Sequence, residues 1–339
     1  MGIKMNGEHM NEKYYDVVII GANISGILMA LRVEQEKNPL CAAIFESSDA
    51  DKRLENSDKI PFYINRCVDI PHIEWKHREI KTQMWDNYSF CSEPNELQKA
   101  AYAQKITGRI CKTTLDNITY AKTIFIPSDL HTEGRQKVIL SSTYKNLKTT
   151  IIRFNRRIIE VDMINNEIHD DNGNTTKYKY LISTIPLPQF FSLAKISTKL
   201  NLPCYKKDFY INIKNVSQLE KYHVIYCADP QVRINRIAYL GDKLYMESPE
   251  KLFLEALNST EQVFVEHSKE VFGLTDLSFD FENAQYPRFV ENDLDETNRL
   301  IAYLKEYGIY LLGRYANWRF LLTEDIWDKT KEIICEIGG

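Results

Sequence analysis

Apolar positions along this chain follow two different periods. Val17 to Ile20 form a short apolar run behind Asp16, and Cys41 to Phe45 form a second, the pattern of buried parallel strands. Between them Ile27, Leu28, Ala30 and Leu31 carry a helical pattern that Asn38-Pro39 brings to an end. Strand-like runs return at Thr149–Phe154, Arg156–Met163, Tyr180–Ile185 and Gly308–Leu312. Asn166–His169 and Lys177–Tyr180 flank Asp171-Asn172-Gly173, which predicts a hairpin on an Asn-Gly turn. Residues 205–247 alternate apolar and polar positions, predicting antiparallel strands with turns at Asp229-Pro230 and Gly241-Asp242. Helices are predicted at Glu96–Ile106, Ser142–Lys148, Pro249–Phe272, Asp293–Tyr307 and Thr323–Glu336. Ser47–Lys59 and the segment holding Tyr286-Pro287 read as loops, and Thr113–Ile126 as one or two strands.

The first strand, helix and second strand enclose Gly21-Ala22-Asn23-Ile24-Ser25-Gly26, and the second strand ends in Glu46. This is the layout of a dinucleotide-binding βαβ unit. Gly21 supplies the tight turn and Gly26 lets the helix pack closely on the strand. Glu46 stands where an acid binds an adenosine ribose, that of FAD or of NAD. The middle glycine of the fingerprint is replaced by Asn23. Asparagine tolerates a left-handed backbone better than other replacements, but its side chain would crowd or contact the phosphates. The bland alternative is a Rossmann-like unit without its ligand.

Composition narrows the class. The 339 residues exceed what one hydrophobic core usually supports, so two interleaved domains are expected. Lys and Arg number 43 against 47 Asp and Glu, so no basic field points to nucleic acid. The seven cysteines, at 41, 67, 91, 111, 204, 227 and 335, include no C-x-x-C pair, and the seven histidines form no H-x-x-x-H pair. Neither a disulfide framework nor a metal site is expected, and scattered thiols suit a reducing, cytoplasmic compartment. No apolar run reaches membrane-span length, and Met1 to Lys13 reads as a polar leader. His72, Trp75, His77 and Trp85 stand close in sequence, as ordinary core and surface residues or as a ligand-facing group.

Four blocks, in order, resemble one family. They are the βαβ unit ending in Glu46, the hairpin leading into Leu181-Ile182-Ser183-Thr184-Ile185-Pro186, the antiparallel middle segment, and Leu311-Leu312-Gly313-Arg314 before a terminal helix. This arrangement is similar to the FAD-dependent amine oxidase and protoporphyrinogen oxidase superfamily. The second half looks most like UDP-galactopyranose mutase, through Cys227 to Arg233, Arg236-Ile237, Tyr286-Pro287, and Gly313-Arg314 followed by Trp318. The resemblance implies an α/β fold with a Rossmann-like FAD-binding domain assembled from residues 14–60, 137–190 and 305–339. It also implies a substrate-side domain on an antiparallel sheet, from residues 61–136 and 191–304. Carried over position by position, Gly21, Ala22, Asn23, Ser25 and Gly26 would meet the pyrophosphate, Glu46 the ribose, and Thr184, Gly313 and Arg314 the rest of the cofactor. Arg233, Arg236, Tyr286 and Trp318 would face the substrate. Three departures stand out: Asn23, the absence of glycine in Ser47–Asn56, and Leu321 and Leu322 where the mutase has its catalytic-site Tyr and Asp.

The resulting expectation is an FAD-dependent oxidoreductase acting on a small organic substrate. Its alternatives are a flavin-dependent isomerase or mutase acting on a sugar nucleotide without net redox, and a flavin-free binding protein that kept the fold. NAD is the runner-up cofactor. No catalytic acid or base can be named from the sequence.

Overall fold

The computed structural model describes residues 13–38, 40–58, 62–107, 123–128, 135–200, 202, 204–212, 221–241, 243–248, 257–273, 284–289 and 294–338. The N-terminal leader, the Gly108 helix stop and the early part of Thr113–Ile126 lie outside them. So do residues 249–256 of the helix expected from Pro249 and residue 242 of the expected turn.

The dinucleotide-type pattern builds one sheet. Strand β1 (Lys13–Ile20) pairs in parallel with β2 (Ala42–Phe45) on one side and with β10 (Thr175–Ser183) on the other. Outside β2 lies β7 (Ile151–Arg153), also parallel. The opposite edge of β10 is shared: residues 175–177 pair antiparallel with β9 (Glu167–Asp170), and residues 181–183 pair parallel with β16 (Ile309–Leu311). β8 (Ile158–Asp162) completes the meander beyond β9. The expected Asn-Gly turn joins β9 to β10, with Gly173 at φ 77°.

Alternation explains why the C-terminal half of β1, all of β2 and the end of β10 are apolar on both faces. Val17, Ile19, Ile44 and Ile182 face one core with helix α1 (Ile24–Glu34) and the C-terminal helix (Thr323–Gly338), whereas Val18, Ile20, Phe45 and Leu181 face a second core. Within α1, Ile27, Leu28, Met29 and Ala30 are fully buried, each large side chain contributing about 1.5–3 kcal/mol.

The alternating segment builds a second seven-stranded sheet, in the order β15-β11-β14-β13-β12-β4-β5. It comprises β11 (Cys204–Asn212), β12 (Lys221–Cys227), β13 (Arg236–Gly241) and β14 (Lys243–Ser248), extended by β4 (Lys81–Asp86) and β5 (Ser89–Cys91). At its far edge is β15 (Ala284–Phe289), so Tyr286-Pro287 lies in a strand rather than a loop. Proline is tolerated there because an edge strand has one side without ladder bonds. A two-stranded sheet, β3 (Trp75–Glu79) with β6 (Thr123–Pro127), stands apart.

One loop expectation fails next to the motif. Ser47–Lys59 contains helix α2 (Ala50–Asp58), capped by Asp49 Oδ1, which accepts the N–H of Lys52 at 2.7 Å. Leu54 is its only large apolar residue, so no hydrophobic period announced it. The helix expected at Ser142–Lys148 begins earlier, as α4 (Gln136–Asn146), with α3 (Glu96–Thr107) before it.

Candidate functional site

The carboxyl ends of β2, β1, β10 and β16 converge. Gly21 N–H donates to Phe45 O, Thr184 N–H to Ile20 O, and Leu312 N–H to Ser183 O. This stepwise exit brings together the residues expected to hold a dinucleotide. Gly21 turns at φ 100°, and a Cβ there would lie 2.6 Å from Thr184 Oγ1. A Cβ on Gly26 would lie 2.0 Å from Gly21 O, so only glycine lets α1 approach β1 this closely. Gly313, at φ 102°, presses against the same helix end, where a Cβ would meet Ser25 Oγ at 2.4 Å.

Glu46 is buried, and its carboxylate closes the second strand onto the turn. Oε2 accepts Ala22 N–H at 2.9 Å; Oε1 accepts Ser48 N–H and the hydroxyls of Ser47 and Ser48. Oε2 has one acceptor position left for a hydroxyl.

Asn23 is the unexpected element. Its backbone is extended (φ −77°, ψ 179°), so the left-handed conformation that would have favoured asparagine is not used. It is the N-cap of α1 instead. Oδ1 accepts the N–H groups of Ser25 and Gly26 at 3.0 and 3.2 Å. Nδ2 donates to Thr184 O at 3.0 Å and to Thr184 Oγ1 at 2.9 Å. Thr184 Oγ1 in turn donates to Ile20 O at 2.7 Å. One side-chain amide therefore ties the helix start to the end of the adjacent strand, and it takes the donors that a pyrophosphate uses at a helix N-terminus.

Two residues that sequence reasoning missed complete this corner. Arg53 of α2 directs Nε to Ala22 O at 3.4 Å, and Tyr144 of α4 donates its hydroxyl to the same carbonyl at 3.1 Å. Burial pushes the Tyr144 hydroxyl up to about 12, partly offset by the Arg53 charge. Arg53 puts a cation beside the glycine turn, within the glycine-free segment Ser47–Asn56. The unread helix hid it.

Arg314 is committed locally: Nε and Nη2 donate to Leu321 O at 3.1 and 2.9 Å, and the guanidinium lies 4.4 Å from the Phe320 ring centre. Trp318 is 1% exposed, with φ 51°, and belongs to the core beneath β10 and β16. Its ring is therefore not presented to a small molecule, contrary to expectation. The C-terminal helix starts at the end of this loop, where Glu324 Oε1 accepts Asn65 N–H at 3.0 Å. Burial raises the Glu324 carboxyl above the usual range.

Two of the other expected substrate-side residues, Arg233 and Arg236, each pair with a carboxylate of this chain. Arg233 forms a bidentate pair with Glu261, at 2.7 and 2.8 Å, and its N–H reaches the same carboxylate. Glu261 is fully buried in the capping box of α5 (Ser259–Phe272), so this arginine serves that helix start. Burial alone would raise the Glu261 carboxyl, but the Arg233 bonds bring it below its ordinary value. Arg236 pairs across the sheet with Glu247 at 2.8 Å and reaches Tyr63 Oη at 3.3 Å. Tyr102, raised well above its ordinary value by burial first and then by the Glu247 charge, stacks edge-on with Tyr226 nearby. Tyr63, Tyr102, Tyr226 and Glu247 went unnoticed in sequence because nothing in their spacing marks them. The Tyr286 side chain lies outside the described residues.

His72, Trp75, His77 and Trp85 do not form one site. Trp75 donates to Val68 O and stacks on Phe62, His77 packs on Phe125, and Trp85 is fully buried beside Phe90 and Phe264. Among the described residues no cluster of metal-ligating side chains occurs, and no helix is long and apolar enough to cross a membrane.

No family model matches the chain, and no curated protein matches it. Solved structures do. A reduced UDP-galactopyranose mutase superposes with a TM-score of 0.59 at 12% identity, covering 96% of each chain. A putative protoporphyrinogen oxidase from Exiguobacterium sp. 255-15 gives 0.56 at 12% identity, covering 97% of this chain and 99% of that one. A CLA-producing fatty acid isomerase from P. acnes gives 0.55 at 9% identity, over 95% and 98%. At such identities the likeness concerns architecture, and this chain has the α/β fold that those proteins share.

Proposed function

We propose that this protein is an FAD-dependent oxidoreductase acting on a small organic substrate. The observation that carries the reading is the Glu46–Ala22 bond at the joined ends of β1 and β2, with Gly21, Gly26 and Gly313 packed as closely as a dinucleotide cradle requires. The donor set fits the cofactor. Glu46 Oε2 would accept a ribose hydroxyl, the Ser25 and Gly26 N–H groups would hold the pyrophosphate once Asn23 turns aside, and Arg53 would add positive charge. FAD, when bound, supplies the electron transfer. The chain's part is to bind, orient and exclude water. We read the sheet carrying Arg236 as the substrate side, where the Arg236–Glu247 pair and the Tyr63 hydroxyl offer polar contacts among aromatic rings.

The test is the absorption spectrum of the purified protein. Flavin bands near about 370 and 450 nm, present on isolation or after adding FAD and removing excess, are expected. Their absence, with binding of NAD in its place, would replace the cofactor. Binding of neither would leave a protein that kept the fold alone, the reading that the fully bonded Asn23 amide favours.

A further inference from the structure

We infer that Asn23 is a built-in stand-in for the cofactor pyrophosphate, capping the empty site and setting the affinity for the dinucleotide. Three observations carry this. Oδ1 satisfies the Ser25 and Gly26 N–H groups, which a bound phosphate oxygen would otherwise take. Nδ2 is held by both oxygens of Thr184, so the amide is fixed from the strand side as well as from the helix side. The backbone at Asn23 is extended, so the residue is not there to relieve strain, and glycine has no conformational advantage at this position. The side chain is what the position uses.

Glycine at this position would leave the donors open in the empty protein, at the cost of an uncapped helix. Asparagine reverses that balance. The empty site is stable on its own, and a pyrophosphate must first displace the amide. The ligand can do so because an anionic oxygen makes stronger charge-assisted bonds than an amide oxygen at the same donors. Its apparent affinity is nonetheless reduced by the fraction of molecules in which Asn23 has moved aside. The same amide oxygen carries no net charge, so Asn23 keeps the helix end neutral and attractive to an anion. Aspartate would keep the oxygen that accepts Ser25 and Gly26 N–H but would repel an anion, and its second oxygen would face Thr184 O where the amide donates.

This rests on the proposed dinucleotide site, and the experiment separates the two. FAD is titrated into wild type, Asn23→Gly and Asn23→Asp, read by quenching of flavin fluorescence, and the melting temperature of each protein is measured without FAD. The glycine variant should bind FAD about tenfold more tightly, because neither the cap nor the amide bonds to Thr184 then has to be broken before a pyrophosphate enters. Its empty form should melt about 2–4 °C lower. The aspartate variant should melt lower than wild type when empty, because it loses the bonds donated to Thr184, and bind FAD at least about tenfold more weakly. Wild type and glycine variant binding equally well would overturn the stand-in role while leaving the FAD reading in place. Weaker binding by the glycine variant would do the same and make Asn23 a direct ligand. Binding by the glycine variant alone would support the stand-in role in its strongest form. No binding by any of the three would overturn both readings.

Discussion

The Oε2 atom of Glu46 accepts the N–H of Ala22 at 2.9 Å, so the acid that ends the second strand is also a fastener of the first turn. Glu46→Gln keeps an acceptor for Ala22 and removes the charge that strengthens a ribose hydroxyl bond. We expect it to fold and to lose about tenfold to a hundredfold in FAD affinity, the range for a hydrogen bond to a charged group. Titration of the folded variant checks this; unchanged affinity would remove Glu46 from the site.

Arg53 tests whether helix α2 takes over part of the phosphate-side role of the missing glycines. Arg53→Ala should weaken FAD binding about tenfold, with a salt dependence smaller than that of wild type, because one phosphate-directed charge is lost. Tyr144→Phe, which removes a bond to the same Ala22 carbonyl without removing charge, should change affinity by less. Equal effects of the two would point to a purely structural role for Arg53.

Arg233 should behave as a structural residue. Arg233→Ala leaves the fully buried Glu261 carboxylate without its bidentate partner and should cost about 2–3 kcal/mol. FAD affinity should be unchanged. Chemical denaturation measures the first and flavin titration the second, and a large loss of ligand binding at unchanged stability would return Arg233 to the substrate side.

Glu324 predicts a pH signature. Its folded carboxyl is raised by burial, so the native state holds the proton more tightly than the unfolded chain, whose carboxyl titrates near about 4.3. Native stability therefore falls as pH rises from the unfolded value through the raised one. Glu324→Gln keeps an acceptor for Asn65 N–H and escapes that loss. It should match wild type at pH values below about 4 and equal or exceed it at neutral pH. Melting curves at both pH values decide; a variant less stable at neutral pH would show that the charge itself is needed.

Sequence alone disclosed the parts of this molecule in which one physical cause acts along the chain. The buried strands of the first sheet, the Asn-Gly hairpin and the alternating strands announced themselves by period or turn chemistry. So did the close-packed turn at Gly21 and Gly26, where a Cβ would collide with neighbouring atoms. Helix α2 stayed hidden because its stability comes from the Asp49 cap and from contacts on one side, with Leu54 alone to mark its face. Tyr286-Pro287 read as a loop because proline usually ends strands, and only the edge position of β15 makes it permissible. Arg233 and Arg236 could be noticed as charged residues in a sheet region, but their partners Glu261 and Glu247 come from elsewhere in the chain, so no local pattern could show that their charge was already spoken for. Asn23 was visible as a departure, whereas its bonds to Thr184 depend on a strand far away in sequence.

The divided edge of β10 has a consequence for how the chain is made. Its first residues meet β9 almost at once, but its last residues wait for β16, and β11 to β15 of the second sheet are synthesised in between. Until the C-terminal strand docks, Ser183 and its neighbours present an open, sticky ladder, and Gly313 is not there to close on Ser25. Long-range pairing of this kind is slow and exposes intermediates to aggregation. Assembly of the joined strand ends is thus coupled to completion of the polypeptide, and a chain truncated before Ile309 should be insoluble rather than merely inactive.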